Sequence, residues 1–169
     1  MVTQLSILTA VLDGHVEELR TVITSIPLDD ASPFASVSGT HNGRWVVVST
    51  DPSPTAPLRA GGLPTPMLMC SAVIDSPVRR WVDRLLAVLG PTADAIWSHC
   101  AGWPGATGGV EFLLAHRVMP WLTFATWDAP VDTVIEALAT RRRAEQFAVS
   151  TQGHDAERLL VAYRAEFSG

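Results

Sequence analysis

The chain has 169 residues, 47% of them apolar and only 17% charged, with a mean hydropathy of +0.22. That suffices for one domain with a proper core, and the apolar surplus points to a subunit interface, an apolar pocket, or both. A net charge of −5, with twelve arginines and no lysine, argues against nucleic-acid binding. No apolar run approaches the roughly 18 residues that span a bilayer.

The N-terminal stretch MVTQLSILTAVLDGH carries no basic leader or cleavage site, so the expectation is a soluble, cytoplasmic protein. It opens the first of three similar segments: LSILTAVLDGHVEELRTVI, MLMCSAVIDSPVRRWVDRLL and WLTFATWDAPVDTVIEAL. Each reads as a strand, then Asp, two residues, Val, then a helical pattern. Asp13, Asp75 and Asp128 are thus predicted to cap helices. After the first helix, residues 27–40 form a long connection, and RWVVVST (44–50) reads as the second strand. Residues 51–66, rich in Pro and Gly, then join strands that a short hairpin could link. Such a loop is a candidate lid over a pocket. DAIWSHC (94–100) reads as a fourth strand after the second helix. A helix near 109–117, a strand near 120–127, a long helix from 129 and a last helix, DAERLLVAYRAEF, complete the chain.

This order predicts an α+β fold in a single domain over 1–169. Residues 1–100 would form a ferredoxin-like β-α-β-β-α-β core with an antiparallel sheet covered by helices. Residues 101–169 would add helix, strand and C-terminal helices. In element order, residues 3–100 resemble the dimeric α/β-barrel superfamily, in which ferredoxin-like sheets pair face to face. That superfamily includes cofactor-independent monooxygenases and polyketide cyclases, and haem proteins such as chlorite dismutases and dye-decolourising peroxidases. The resemblance implies a pocket between one sheet face and the elements covering it.

Candidate chemistry centres on histidines. His41 and Arg44 in GTHNGRW suit a general acid or base beside an anion contact, although Asn42-Gly43 also reads as a plain turn. On a strand over 94–100, Trp97 and His99 would share one face and Cys100 the other. His41, Arg44 and His99 are therefore the predicted catalytic residues. Asn42, Trp45, Trp97, Trp103, His116, Trp121 and Trp127 are predicted to line the substrate site, the tryptophans as walls for a flat apolar ligand. His15 and His154 read as solvent-facing. Zinc-type spacings such as C-x2-C or H-x3-H are absent, and the glycine-rich GWPGATGGV lacks the lysine of a phosphate loop. Cys70 and Cys100 read as buried thiols rather than a disulfide.

These features predict a small secondary-metabolism enzyme that binds an apolar or aromatic molecule and uses histidine acid–base chemistry, as a cyclase or isomerase. No metal or cofactor is expected. The alternatives are a cofactor-independent monooxygenase, a haem protein with His116 as axial ligand, and a non-enzymatic binding or assembly module. A homodimer is expected, with no nucleic-acid or membrane partner.

Overall fold

The computed structural model describes residues 2–48, 65–75, 77–119 and 129–167. The backbone divides into two compact units, Met1–Val131 and Asp132–Gly169. In the first unit, β1 (Val2–Ala10) leads to α1 (Val16–Ser25) and β2 (Thr40–Val48). Then follow β3 (Met67–Asp75), α2 (Val78–Leu89), α3 (Pro91–Trp97), α4 (Ala106–Ala115) and β4 (Arg117–Val118). The described strands form one antiparallel sheet in the order β2-β3-β1-β4. The fold class is therefore α+β.

Strand alternation decides what each face of this sheet holds. Leu5, Ile7 and Thr9 of β1 and Leu68, Cys70, Ala72 and Ile74 of β3 are buried, while their sequence neighbours are half-buried. The buried set packs against Leu19 of α1, Trp81, Val82, Leu85 and Leu89 of α2, Ala93, Ile96 and Trp97 of α3, and Leu113 of α4. The core thus lies between one sheet face and the helices. The connection 27–39 belongs to it, since Phe34 and Val37 are buried. Phe34 stacks on Trp45, with ring centroids 4.1 Å apart, and lies nearly parallel to Trp81 at 6.2 Å.

The predicted strand over 94–100 is instead α3 and the turn after it. Gly90, at φ +52°, ends α2, and Pro91 starts the next helix at its first position, where a missing N–H costs nothing. Ala93, Ile96 and Trp97 then bury one helical stripe. Ile96 and Trp97 are adjacent and both wholly buried, which a strand with one covered face does not allow. The strand beside β1 is supplied from further along the chain. Val118 and Arg117 pair with Ser6 and Ile7, and the Leu8 N–H donates to the His116 carbonyl. The predicted strand 120–127 falls outside the described residues.

The capping assignments are also corrected. Asp13 lies in the turn before α1, whose N-cap is His15, and no side chain caps that helix. Pro77, extended at φ −95° and ψ 145°, delays the start of α2 to Val78. Asp75 therefore stays in β3, opposite Val2. Asp128 lies outside the described residues. A true aspartate cap occurs in the second unit, where Asp155 Oδ1 accepts from the Arg158 N–H at 2.9 Å before α6 (Ala156–Phe167). That unit pairs α6 with α5 (Val131–Ser150) through Phe147, which meets Tyr163 and Phe167 edge to face.

Two glycines are required for different reasons. A Cβ at Gly43 would lie 2.4 Å from the Phe34 ring, so that position needs space. Gly14, at φ +77°, has nothing within 4 Å of a built Cβ, so only its backbone conformation is demanding. Gly43→Ala is expected to displace Phe34 and cost about 1–3 kcal/mol, as overpacking does. Gly14→Ala is expected to cost about 1–2 kcal/mol through left-handed strain. Urea unfolding checks both, and a Gly43→Ala chain of unchanged stability would unseat the packing of Phe34 on β2.

Candidate functional site

The face of the sheet away from the core is sorted by rows, and the strand register does the sorting. Ala10, Met67 and Val48 form one row across β1, β3 and β2, and Leu8, Met69 and Val46 form the next. Both rows are apolar. The following row is polar: Ser6, Ser71 and Arg44, with Val118 at its β4 end. Gln4, Val73 and Asn42 come after it, and Asp75 closes the face. One half of this face is therefore oily and the other half offers hydrogen bonds.

The polar half carries the candidate site. A groove of about 370 Å³ is lined by Gln4, Asn42, Gly43, Arg44, Ser71 and Val73, among others. Arg44 Nε donates to Ser71 Oγ at 3.1 Å, which steadies an otherwise exposed guanidinium. Beside the groove β2 is bulged between Thr40 and Asn42, so His41 is the extra residue without a ladder partner. Bulges re-aim side chains in this way. His41 Nε2 lies 3.2 Å from Asp75 Oδ1, and the two side chains are 16% and 28% exposed. Asp75 is further held by its other oxygen, Oδ2, which accepts from the Val131 N–H at 3.1 Å. Its own N–H donates to the Gly39 carbonyl.

Of the predicted site residues, Asn42 and Arg44 line the groove, and His41, at the bulge next to Asn42, pairs with Asp75. His99 is elsewhere. It sits in the turn after α3, and its carbonyl accepts from the Leu12 N–H just past the end of β1. Asp75 pairs with Val2 at the other end of β1, so about 27 Å of strand separates the two histidines. The predicted sharing of one strand face by Trp97 and His99 is overturned with the strand itself. Trp97 is wholly buried and stacks on Trp103, at 5.6 Å between ring centroids. The Trp103 indole N–H donates to Asp94 Oδ1. Trp45 points to the core side, against Phe34. These three tryptophans are packing groups, and none lines the groove. His116 ends α4, where its Nδ1–H donates to the Phe112 carbonyl at 2.8 Å and its ring lies against Phe112. Trp121, Trp127 and nearly all of the predicted lid over 51–66 fall outside the described residues.

His99 has company that the sequence reading passed over. His15 Nδ1 lies 3.0 Å from His99 Nδ1, and Glu18 Oε2 is 3.8 Å from each. The spacing of His15 and Glu18, three residues apart at the start of a helix, was the available signal. Nothing local in the sequence joined them to residue 99. Both cysteines are free and buried, as expected. The Thr9 hydroxyl donates to Cys100 Sγ at 3.2 Å. Compared with models of known protein families, with curated proteins and with solved structures, the chain matches none.

Burial pushes the Cys70 thiol from its ordinary 9.0 to about 12, and pushes Cys100 upward as well. The stability tied to Cys70 is therefore complete below pH 9, where folded and unfolded chains both keep the proton. It is lost as pH rises toward 12, because the unfolded chain alone ionises. Over that window one proton is worth about 1.4 kcal/mol per pH unit. Cys70→Ala is expected to flatten the alkaline limb of a stability-versus-pH curve measured in urea. An unchanged slope would mean that Cys70 is not sequestered.

Proposed function

We propose that the chain is an enzyme that moves protons on a small molecule at the open face of a ferredoxin-like sheet. His41 is the proton-transfer group, Asp75 orients it, and Arg44 holds an anionic or carbonyl oxygen of the substrate. The observation that carries this reading is the 3.2 Å approach of His41 Nε2 to Asp75 Oδ1 at a β-bulge beside the groove. A carboxylate at Nε2 favours the tautomer protonated there and leaves Nδ1 as the base. The amphipathic rows fit a substrate with a polar head near Arg44 and an apolar body over Met69, Val46 and Leu8. Cyclisation or isomerisation of such a molecule needs only proton transfer and oxyanion stabilisation. The strand order β2-β3-β1-β4, with α1 linking β1 to β2 across β3, supports the ferredoxin-like assignment.

A panel of aromatic carboxylates and phenolates, followed by amide chemical shifts, tests the site. Ligands are expected to move the signals of Asn42 to Arg44 and Ser71 to Val73. Arg44→Ala should weaken binding more than tenfold, equivalent to about 1.4 kcal/mol. Exchange of deuterium into acidic C–H positions of the bound ligand should vanish in His41→Ala and fall steeply in Asp75→Asn. Binding that leaves those amides unmoved, or exchange that survives both variants, would sink the assignment.

We propose further that two copies pair through this face, supported by the contiguous apolar rows and by Val46 and Val118, which stand 36% and 41% exposed. Pairing would roof the groove and exclude water from it. Sedimentation is expected to give the mass of two chains, and Met69→Asp to give one. A stable monomer at micromolar concentration would refute the pairing.

A further inference from the structure

At the opposite end of β1 from the groove, we infer that His15, Glu18 and His99 form a binding site for a divalent transition-metal ion of the zinc class. The three ligand atoms are His15 Nδ1, His99 Nδ1 and Glu18 Oε2, with separations of 3.0, 3.8 and 3.8 Å. A triangle of those sides has one point equidistant from its corners, about 2.1 Å from each. Zinc bonds to imidazole nitrogen at about 2.0–2.1 Å and to carboxylate oxygen at about 2.0–2.2 Å, so the three atoms stand at the right separations for one ion once the rings turn toward it.

The backbone that holds the two imidazoles is fixed by a single residue. The Leu12 N–H donates to the His99 carbonyl at 2.9 Å, and the Leu12 carbonyl accepts from the His15 N–H at 3.1 Å. Val11 bridges to Cys100, and the Ala101 N–H donates to the Ala10 carbonyl. Glu18 then follows one helical turn after His15 and on the same side of α1. The site is thus built on the end of a strand, the first turn of a helix and a clamped turn. His99 is 15% exposed and His15 is 40% exposed, so the pair is shielded on one side and open to solvent on the other.

Two imidazole nitrogens 3.0 Å apart cannot both keep a proton between them. Without a metal, one Nδ1–H donates to the other ring. The rings meet nearly end to end, with centroids 5.2 Å apart. Each must swing toward Glu18 to present its lone pair to a shared ion, and the exposed carboxylate can follow. Two nitrogens and one oxygen suit zinc, cobalt, nickel or copper rather than magnesium or calcium. Three protein ligands leave a position for water. Binding moves the shared proton from Nδ1 to Nε2 of the same ring, so the neutral pair takes up the ion with both Nδ1 lone pairs free.

Chelator-stripped full-length protein should bind one zinc ion per chain in calorimetry, with micromolar or tighter affinity. Cobalt should give visible d–d bands of a low-coordinate site. His15→Ala and Glu18→Ala alter exposed side chains and leave the core untouched; each should weaken zinc binding more than tenfold, as should His99→Ala, while His154→Ala should not. His41→Ala should bind zinc like the parent chain, which separates this site from the groove. Absence of stoichiometric binding to the folded parent chain would overturn the inference. So would undiminished affinity in the His15→Ala, His99→Ala double variant.

Discussion

Nine consecutive residue pairs between β1 and β3, from Val2 opposite Asp75 to Ala10 opposite Met67, fix almost everything else in the first unit. A slip of one residue would exchange the two faces of β1, bringing Gln4, Ser6 and Leu8 to the core and sending Leu5, Ile7 and Thr9 outward. Burying the Ser6 hydroxyl in place of Ile7 without a partner would cost several kcal/mol. The apolar alternation therefore selects one register. That register aligns Leu8 with Met69 and Val46, and Ser6 with Ser71 and Arg44. The division of the open face into apolar and polar halves follows from the same pairing that buries the core.

The two titratable clusters sit at opposite ends of this frame and are held differently. His41 is aimed by an irregularity within the sheet, where the bulge removes it from the ladder, and Asp75 receives it at the end of the neighbouring strand. His15 and His99 are placed by turns that close on Leu12. The first arrangement shares its elements with the groove. The second ties the entry to α1 to the exit from α3, which lie far apart in sequence. Neither has a tryptophan among its members; the described indoles pack in the layer between sheet and helices.

Strands β1 and β3 and helices α1 and α2 were legible because an apolar stretch of strand length led into helical spacing; the second strand, read as 44–50, begins instead at Thr40. The 94–100 segment was misread because seven residues of mixed polarity fit either period. The deciding features were Gly90-Pro91 ahead of it and the adjacent pair Ile96 and Trp97, which need covering on neighbouring positions. Asp75 was misread because an aspartate three residues before a helical valine looks like a cap. Pro77 shifts the helix start, and the carboxylate becomes the partner of His41 instead. His41, Asn42 and Arg44 were legible as a group because one strand carries them all. The His15 and His99 pair was not, because its proximity arises from how the ends of β1 and α3 meet.

The aromatic layer also bears on the candidate site. Phe34, carried on a connection rather than a helix, fills the space over Gly43 and stacks on Trp45 and Trp81. The Trp81 indole N–H is satisfied by Thr40 Oγ1 at 2.8 Å, and the Thr40 hydroxyl donates to the Val37 carbonyl. This chain of hydrogen bonds fastens the 27–39 connection to the start of β2, immediately before the bulge. The ring of Phe34 and the bulge at His41 are thus anchored by the same three residues, Val37, Thr40 and Trp81. The long connection between α1 and β2 is, physically, the support that holds the start of β2 in position to present His41 to Asp75.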